Sequence, residues 1–110
     1  MATYTKKSLG QSNPSATTLT DIYTVPASTT GIVTTITVAN RSATATSFRI
    51  SHALAGAVDD NKQYLYYDCS IGGNDVVQIT TSIPMATTDV LRVYATLATL
   101  SFNIDGIEET

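Results

Sequence analysis

The sequence predicts an all-β protein, an antiparallel β-sandwich or jelly roll of seven to eight strands. Strand-like segments recur along the chain at roughly 8–14-residue spacing, separated by turn residues. Helix signals are nearly absent, because the longest candidate, residues 51–58, is interrupted by Gly56 and carries no apolar stripe. Thr and Ser supply roughly 30 of the 110 residues. Thr is β-branched, so it favours strands and gives the outside of a sheet an uncharged polar surface.

The first part of the chain divides into an arm and the start of the sandwich. Residues 1–14 are expected to form an extended N-terminal arm, in which residues 4–9 can pair as an edge strand. The sandwich domain is expected to cover residues 15–110. Its first strand is predicted at residues 18–25 and ends before Pro26, which cannot continue ladder pairing.

The clearest strand signal lies at residues 32–40, where one face is predicted to contain Ile32, Thr34, Ile36 and Val38. After a short turn, residues 44–52 form the next predicted strand. Its alternation places Phe48 and Ile50 in the core and Arg49 on the outside. Because only a short turn separates these two strands, we expect them to pair as an antiparallel hairpin.

Four further strands are predicted, at residues 63–69, 76–81, 89–95 and 101–108. The pair Gly72-Gly73 indicates a hairpin turn between the first two, and residues 82–89 read as a loop. On the last strand, Gly106 allows a bulge or bend. The core face of that strand is predicted to hold Leu100, Phe102 and Ile104.

Charge is sparse. Charged residues make up 14% of the chain, against about 25% in typical proteins, and the net charge is −3. A weakly charged surface leaves little repulsion between copies and suits packed assemblies. The six Lys and Arg residues form no basic stripe, so no direct nucleic-acid binding is expected. No apolar run is long enough for a membrane helix, and no secretory signal is evident. We therefore expect the protein to be made and kept in the cytoplasm of its producing cell, unless it leaves inside a larger particle.

No constellation for catalysis or for a cofactor is predicted. His52 is the single histidine and is expected to be a satisfied residue at the core or rim. The pairs Asp59-Asp60 and Glu108-Glu109 are expected to be solvated, and the run of acidic and amide residues at 59–61 matches no calcium loop. Cys69 is the only cysteine and is expected to be a small buried apolar residue. The sequence thus predicts a protein that is not an enzyme and holds no metal.

The tyrosines are the candidate interface residues. Alternation places Tyr64 and Tyr66 on one face of their strand and Tyr67 on the other. One set must pack in the core, and the set left outside is expected to contact a protein partner or to stack on a sugar ring. The arm supplies four more candidate interface residues, which are Tyr4, Lys6, Lys7 and Leu9.

Several stretches of the chain resemble small virion proteins of tailed bacteriophages and prophages. They are Leu9-Gly10-Gln11 followed by Pro14, and the segments at residues 19–27, 88–95 and 100–108. The resemblance spans most of the chain, and its motifs are structural rather than catalytic. It implies a β-sandwich attached to the phage capsid or tail.

The leading hypothesis from this resemblance is a capsid decoration (cement) protein. It would be a homotrimer on the outer capsid surface that bridges major capsid subunits, its arm adding a strand to a neighbour's sheet. Two alternatives remain open. One is a tail adaptor, baseplate or fibre-base protein, and the other is a carbohydrate-binding module that uses the tyrosines.

Overall fold

Eight antiparallel strands form two four-stranded sheets in the computed structural model, which describes residues 2–110. The strands are β1 (Tyr4–Ser12), β2 (Thr20–Thr24), β3 (Thr30–Asn40), β4 (Thr46–Ala53), β5 (Tyr64–Ile71), β6 (Val76–Met85), β7 (Val90–Ala95) and β8 (Leu100–Glu109). Two single-turn 3₁₀ helices, Leu54–Gly56 and Asn61–Gln63, lie between β4 and β5. The predicted all-β sandwich is confirmed. The first residue of the predicted arm, Met1, lies outside the described residues.

The strand order is that of a rolled-up ribbon. The first sheet has the order β1-β8-β3-β6, and the second has the order β2-β7-β4-β5. Strands β1 to β4 therefore pair in reverse order with β8 to β5, as in one long hairpin. Rolling this hairpin adds the pairs β8 with β3 and β7 with β4, which is the jelly-roll arrangement.

The predicted hairpin between β3 and β4 is wrong, because these strands belong to different sheets. The buried side chain of Asn40 organises the crossing: its amide nitrogen donates to the carbonyls of Thr44 (2.8 Å) and Gly72 (3.1 Å). The same end of the molecule holds the link from β5 to β6, which also crosses between sheets and is not a hairpin. An added Cβ at Gly73 would lie 2.0 Å from the carbonyl oxygen of Ala43. The second glycine is therefore required by close backbone packing.

The core lies between the sheets and follows the predicted alternation on β4 and β8. Phe48 and Phe102 pack edge to face at its centre, with ring centroids 6.1 Å apart. Ile50, Leu100 and Ile104 are fully buried around them, which confirms the predicted core faces. The half-buried Cys69 packs against the same cluster.

A bend crosses the first sheet and changes which residues of β3 point inward. The register between β3 and β8 shifts at Thr34, so Val33 and Ile36 are both buried and Ile32 is displaced to the outer face. The prediction that Ile32 shares the face of Ile36 is therefore wrong. Gly106 of β8 lies at this bend, and an added Cβ there would lie 2.1 Å from the carbonyl oxygen of Ile32.

Strand β6 is longer than predicted. It continues through Pro84 to Met85, so the loop expected from residue 82 begins only after Met85. Its side chains alternate strictly at this end, with Ile83 and Met85 buried and Pro84 exposed. Proline is tolerated here because β6 is an edge strand, on which a missing N–H need not break the ladder.

Candidate interaction surfaces

The segment expected as an arm is, from Tyr4 onward, an edge strand of its own sandwich. β1 pairs antiparallel with β8 along its length, from Tyr4 opposite Glu109 to Ser12 opposite Phe102. Two backbone hydrogen bonds between Thr3 and Thr110, of 2.8 and 2.9 Å, continue the pairing. These contacts hold the segment against its own chain, as the edge-strand reading of residues 4–9 allows.

The four candidate residues of β1 divide between the two faces of the strand. Leu9 lies at a register shift and packs against the core, and Lys7 reaches the side chain of Glu108. Tyr4 and Lys6 have the opposite orientation, and Tyr4 is 68% exposed. Of the four, only Tyr4 and Lys6 are therefore free for a partner on the outer face of the first sheet.

Glu108 joins the two sheets and is buried, so the prediction of a solvated carboxylate at this position is wrong. It accepts hydrogen bonds from the Tyr23 hydroxyl (2.6 Å) and from Lys7 Nζ (3.1 Å). These two donors, Tyr23 first, hold the pKa of Glu108 below its ordinary value despite burial. Burial and the hydrogen bond to Glu108 raise the pKa of Tyr23. The carboxylate therefore works as a structural acceptor.

A shallow apolar groove of about 560 Å³ crosses the outer face of the first sheet near this end. Its floor is a row of neighbouring strands: Ile107 of β8 lies opposite Ile32 of β3, which lies opposite Pro84 of β6. Tyr4 and Leu54 line the groove and are both more than two-thirds exposed, at 68% and 67%. The bend at Thr34 creates this groove, because it turns Ile32 away from the core.

The three tyrosines of β5 do not divide as predicted. Tyr66 lies opposite Ile50 and packs against the core, whereas Tyr64 lies opposite Ser51, which is also buried but is on the same face of β4 as Arg49. The pairing register with β4 shifts twice along this strand, which puts Tyr64 and Tyr67 together on the outer face. Their rings meet edge to face with centroids 5.1 Å apart. Alternation alone could not find these shifts.

Arg49 connects these tyrosines to a fourth aromatic residue. Its guanidinium carbon lies 4.1 Å from the ring centroid of Tyr67 and 4.4 Å from that of Tyr94, within the range of cation–π contacts. Its Nε donates to the carboxylate of Asp68 at 2.6 Å, and this hydrogen bond raises the pKa of Arg49. We call Arg49, Tyr64, Tyr67 and Tyr94 the tyrosine–arginine cluster. It lies on the outer face of the second sheet.

The loop between β4 and β5 folds back over the same sheet beside this cluster. Arg92 donates to Asp21 (2.9 Å) and to the carbonyl of Ala57 (2.8 Å), so the outer face of β7 holds the loop. At the base of the loop, His52 Nε2 lies 2.9 Å from the buried carboxylate of Asp89. Burial raises the pKa of Asp89, but hydrogen bonds from Ala55 N–H, His52 and Ala86 N–H outweigh it, and the net pKa is lowered.

Three further carboxylates are engaged in separate local contacts. Asp59 accepts from the Tyr64 hydroxyl (3.2 Å), Asp60 caps the second 3₁₀ helix, and Asp75 accepts from Val76 N–H (2.8 Å). Across residues 2–110, no group of three His, Cys, Asp or Glu side chains is arranged to hold a metal ion. None of the helices in this described part is long and apolar enough to cross a membrane.

Comparison with known proteins does not extend the sequence resemblance. No model of a known protein family matches the chain, and no curated protein matches it significantly. The likeness to small phage virion proteins therefore stays a prediction from the stretches quoted above.

Proposed function

We propose that the protein is a structural protein of a bacteriophage virion, most specifically a capsid decoration (cement) protein. It would act as a homo-oligomer, expected from the resemblance to be a trimer, and bind the major capsid protein on the outside of the shell. The observation that carries this proposal is the tyrosine–arginine cluster. Tyr and Arg are the residue types that dominate the binding energy of protein interfaces.

The arrangement of the cluster favours binding to a protein. Arg49 is held between two rings and by Asp68, so little side-chain freedom would be lost on association. Tyr67 is 54% exposed and can still bury a large apolar area. The apolar groove at Tyr4 and Leu54 supplies a second surface on the opposite sheet. A protein with attachment surfaces on both faces can bridge two neighbours.

The fold suits this role. Double-sheet jelly rolls occur in viral capsid proteins and in lectins, among other classes. The proposed mechanism is mechanical. Each copy buries apolar surface against adjacent capsid subunits, and this added binding energy opposes expansion of the shell.

The proposal is tested by adding the purified protein back to particles that lack it. Wild-type protein should restore occupancy on the shell and resistance to heat, whereas Tyr67→Ala should bind about 10-fold or more weakly, as expected for a hot-spot residue. Val58→Thr changes an even more exposed apolar residue outside the cluster, at 87% exposure, and should bind normally. Image reconstruction of intact particles gives the location. Density on the tail in low copy number would favour a tail adaptor, baseplate or fibre-base role, and absence from the particle would overturn the proposal.

One observation favours a second candidate, a carbohydrate-binding module. Asn61, Tyr64 and Tyr67 line a cleft of about 470 Å³ in which a sugar ring could stack on tyrosine and bond to an amide. A glycan array separates the two candidates. Glycan binding that Tyr67→Ala abolishes would support this reading, and an array without signal would remove it.

A further inference from the structure

The four edge strands of the sandwich differ in their protection against pairing with another chain. Edge strands present unpaired N–H and C=O groups, and proteins blunt them with charges, bulges or short length. β1 carries Lys6 and Lys7 and a register shift. β2 has only five residues and carries Asp21, and β5 is shifted twice and carries Asp68.

β6 has much weaker protection. It is ten residues long, and no charged residue occurs between Asp75 and Asp89. Its pairing with β3 is uninterrupted over residues 76–80. The only features that discourage pairing, a register shift and Pro84, lie in the second half of the strand. Residues 76–80 therefore form a straight and uncharged open edge.

One hydrogen bond shows which backbone groups this edge presents. Asn40 N–H donates to the carbonyl of Asp75 at 2.9 Å, so in the alternating antiparallel ladder Asp75 points its backbone groups toward β3. The residues that point theirs to the free edge are then Val76, Gln78 and Thr80. The N–H of Val76 is already bound by the side chain of Asp75, at 2.8 Å. Open groups remain on Gln78 and Thr80, together with the Val76 carbonyl.

We propose that β6 pairs antiparallel with β6 of a second copy of this chain, about a two-fold axis at Gln78. This register is self-complementary: Gln78 faces its own copy, and Val76 faces Thr80 on both sides of the axis. No like charges meet, because the strand has none. The two first sheets would join into one continuous sheet of eight strands, and the open edge of each copy would be covered.

Side chains on both faces of β6 support a partner strand. Val76 is 57% exposed on the outer face, where Thr80 of the second copy would cover it. On the inner face, Val77 and Ile79 are half-buried at the rim of the core and would be screened from water by the added strand. This contact between copies goes beyond the proposed attachment to a capsid. It also differs from the expected trimer, because one strand edge can pair with only one partner edge.

The test measures the mass of the purified protein by sedimentation equilibrium. Wild-type protein should be a dimer, and Gln78→Lys should raise its dissociation constant by about 10-fold or more, because like charges would face each other across the axis. Ser8→Lys puts the same charge on the exposed outer face of the opposite edge strand and should leave the dimer unchanged. A monomer, a trimer, open-ended aggregates, or a dimer that Gln78→Lys does not weaken would overturn the proposal.

A cysteine variant decides the case if the lysine variant fails to fold. Hydrogen-bonded antiparallel partners have Cα atoms about 5.5 Å apart, within disulfide range. In a Cys69→Ala background, Gln78→Cys should therefore oxidise to a covalent dimer, whereas Ser8→Cys should not. Failure of Gln78→Cys to cross-link under the same oxidant would also overturn the proposal. The outcome is independent of the proposed function, because binding to particles is measured separately.

Discussion

The two sheets share one core but have different outer faces. On the first sheet, the outer face of the two middle strands, β3 and β8, is mostly uncharged. For example, Thr37 lies opposite Asn103, and the Asn103 side chain accepts a 2.7 Å hydrogen bond from Gln11. On the second sheet, the outer face carries Arg49, with tyrosine rings and carboxylates arranged around it. The first sheet is shaped by its backbone, through the bend at Gly106, and the second sheet presents preassembled side chains. The two outer faces are thus built in different ways, one by backbone geometry and the other by contacts between side chains.

The largest expected effect lies in the backbone of the first sheet. In Gly106→Ala, the new Cβ would lie 2.1 Å from the carbonyl oxygen of Ile32, so the bend must shift. We expect a loss of about 3 kcal/mol in the free energy of unfolding, measured with urea. Gly72→Ala is the matched control, because its Cβ would be 3.5 Å from the nearest atom. Equal stability of the two variants would contradict the close approach at Gly106.

The stabilisation that Glu108 provides between the two sheets should depend on pH. Glu108→Gln weakens the charge-assisted hydrogen bonds from Tyr23 and Lys7, and we expect a cost of about 2 kcal/mol at pH 7. The pKa of Glu108 is lowered in the folded state, so its contribution is complete above the ordinary value of 4.5 and is lost as pH falls through the folded pKa. Stability curves of the two proteins should therefore converge in acid. A constant difference at every pH would show that the charge of Glu108 does not matter.

Substitutions on the outer faces should change stability least, and the loss should differ between the two sheets. Arg49→Ala removes the guanidinium between Tyr67 and Tyr94, and we expect a loss of about 1 kcal/mol in stability. Thr37→Ala, on the outer face of the first sheet, should cost less than about 0.5 kcal/mol, as is usual for surface positions. Urea unfolding measures both. If Thr37→Ala cost as much as Arg49→Ala, the distinction between the two faces would fail.

The parts of the fold that sequence could predict are those set by neighbouring residues. Period-two alternation placed Phe48, Ile50, Phe102 and Ile104 in the core, because a strand's inward face depends on its own side chains. It failed for Ile32, where an extra residue at Thr34 reverses the alternation. Such a bulge is a property of the strand pair, and the side-chain pattern of one strand does not record it.

The candidate site could be predicted only in part for a related reason. Tyr64, Tyr66 and Tyr67 stand out in the sequence as candidate interface residues, but which of them share a face depends on the register shifts of β5. The role of Arg49 depends on the pairing of β4 with both β5 and β7. Tyr94 reaches the cluster from a strand far along the chain, so no local motif links it to Arg49. The same limit produced the wrong hairpin between β3 and β4. Which strands pair with each other is decided by the topology of the whole sandwich.

The position of β8 has a consequence for how the chain can fold during translation. β8 lies between β1 and β3, so the first sheet lacks its centre until this last strand is available. Of the strands adjacent in sequence, only β4 and β5 pair within one sheet, so most contacts join distant segments and folding should be slow. A nascent chain that has not yet released β8 from the ribosome would leave β1 unpaired and would leave β3 paired only with β6. Ribosome-bound intermediates of this protein should therefore be clients for chaperones until β8 has emerged and paired.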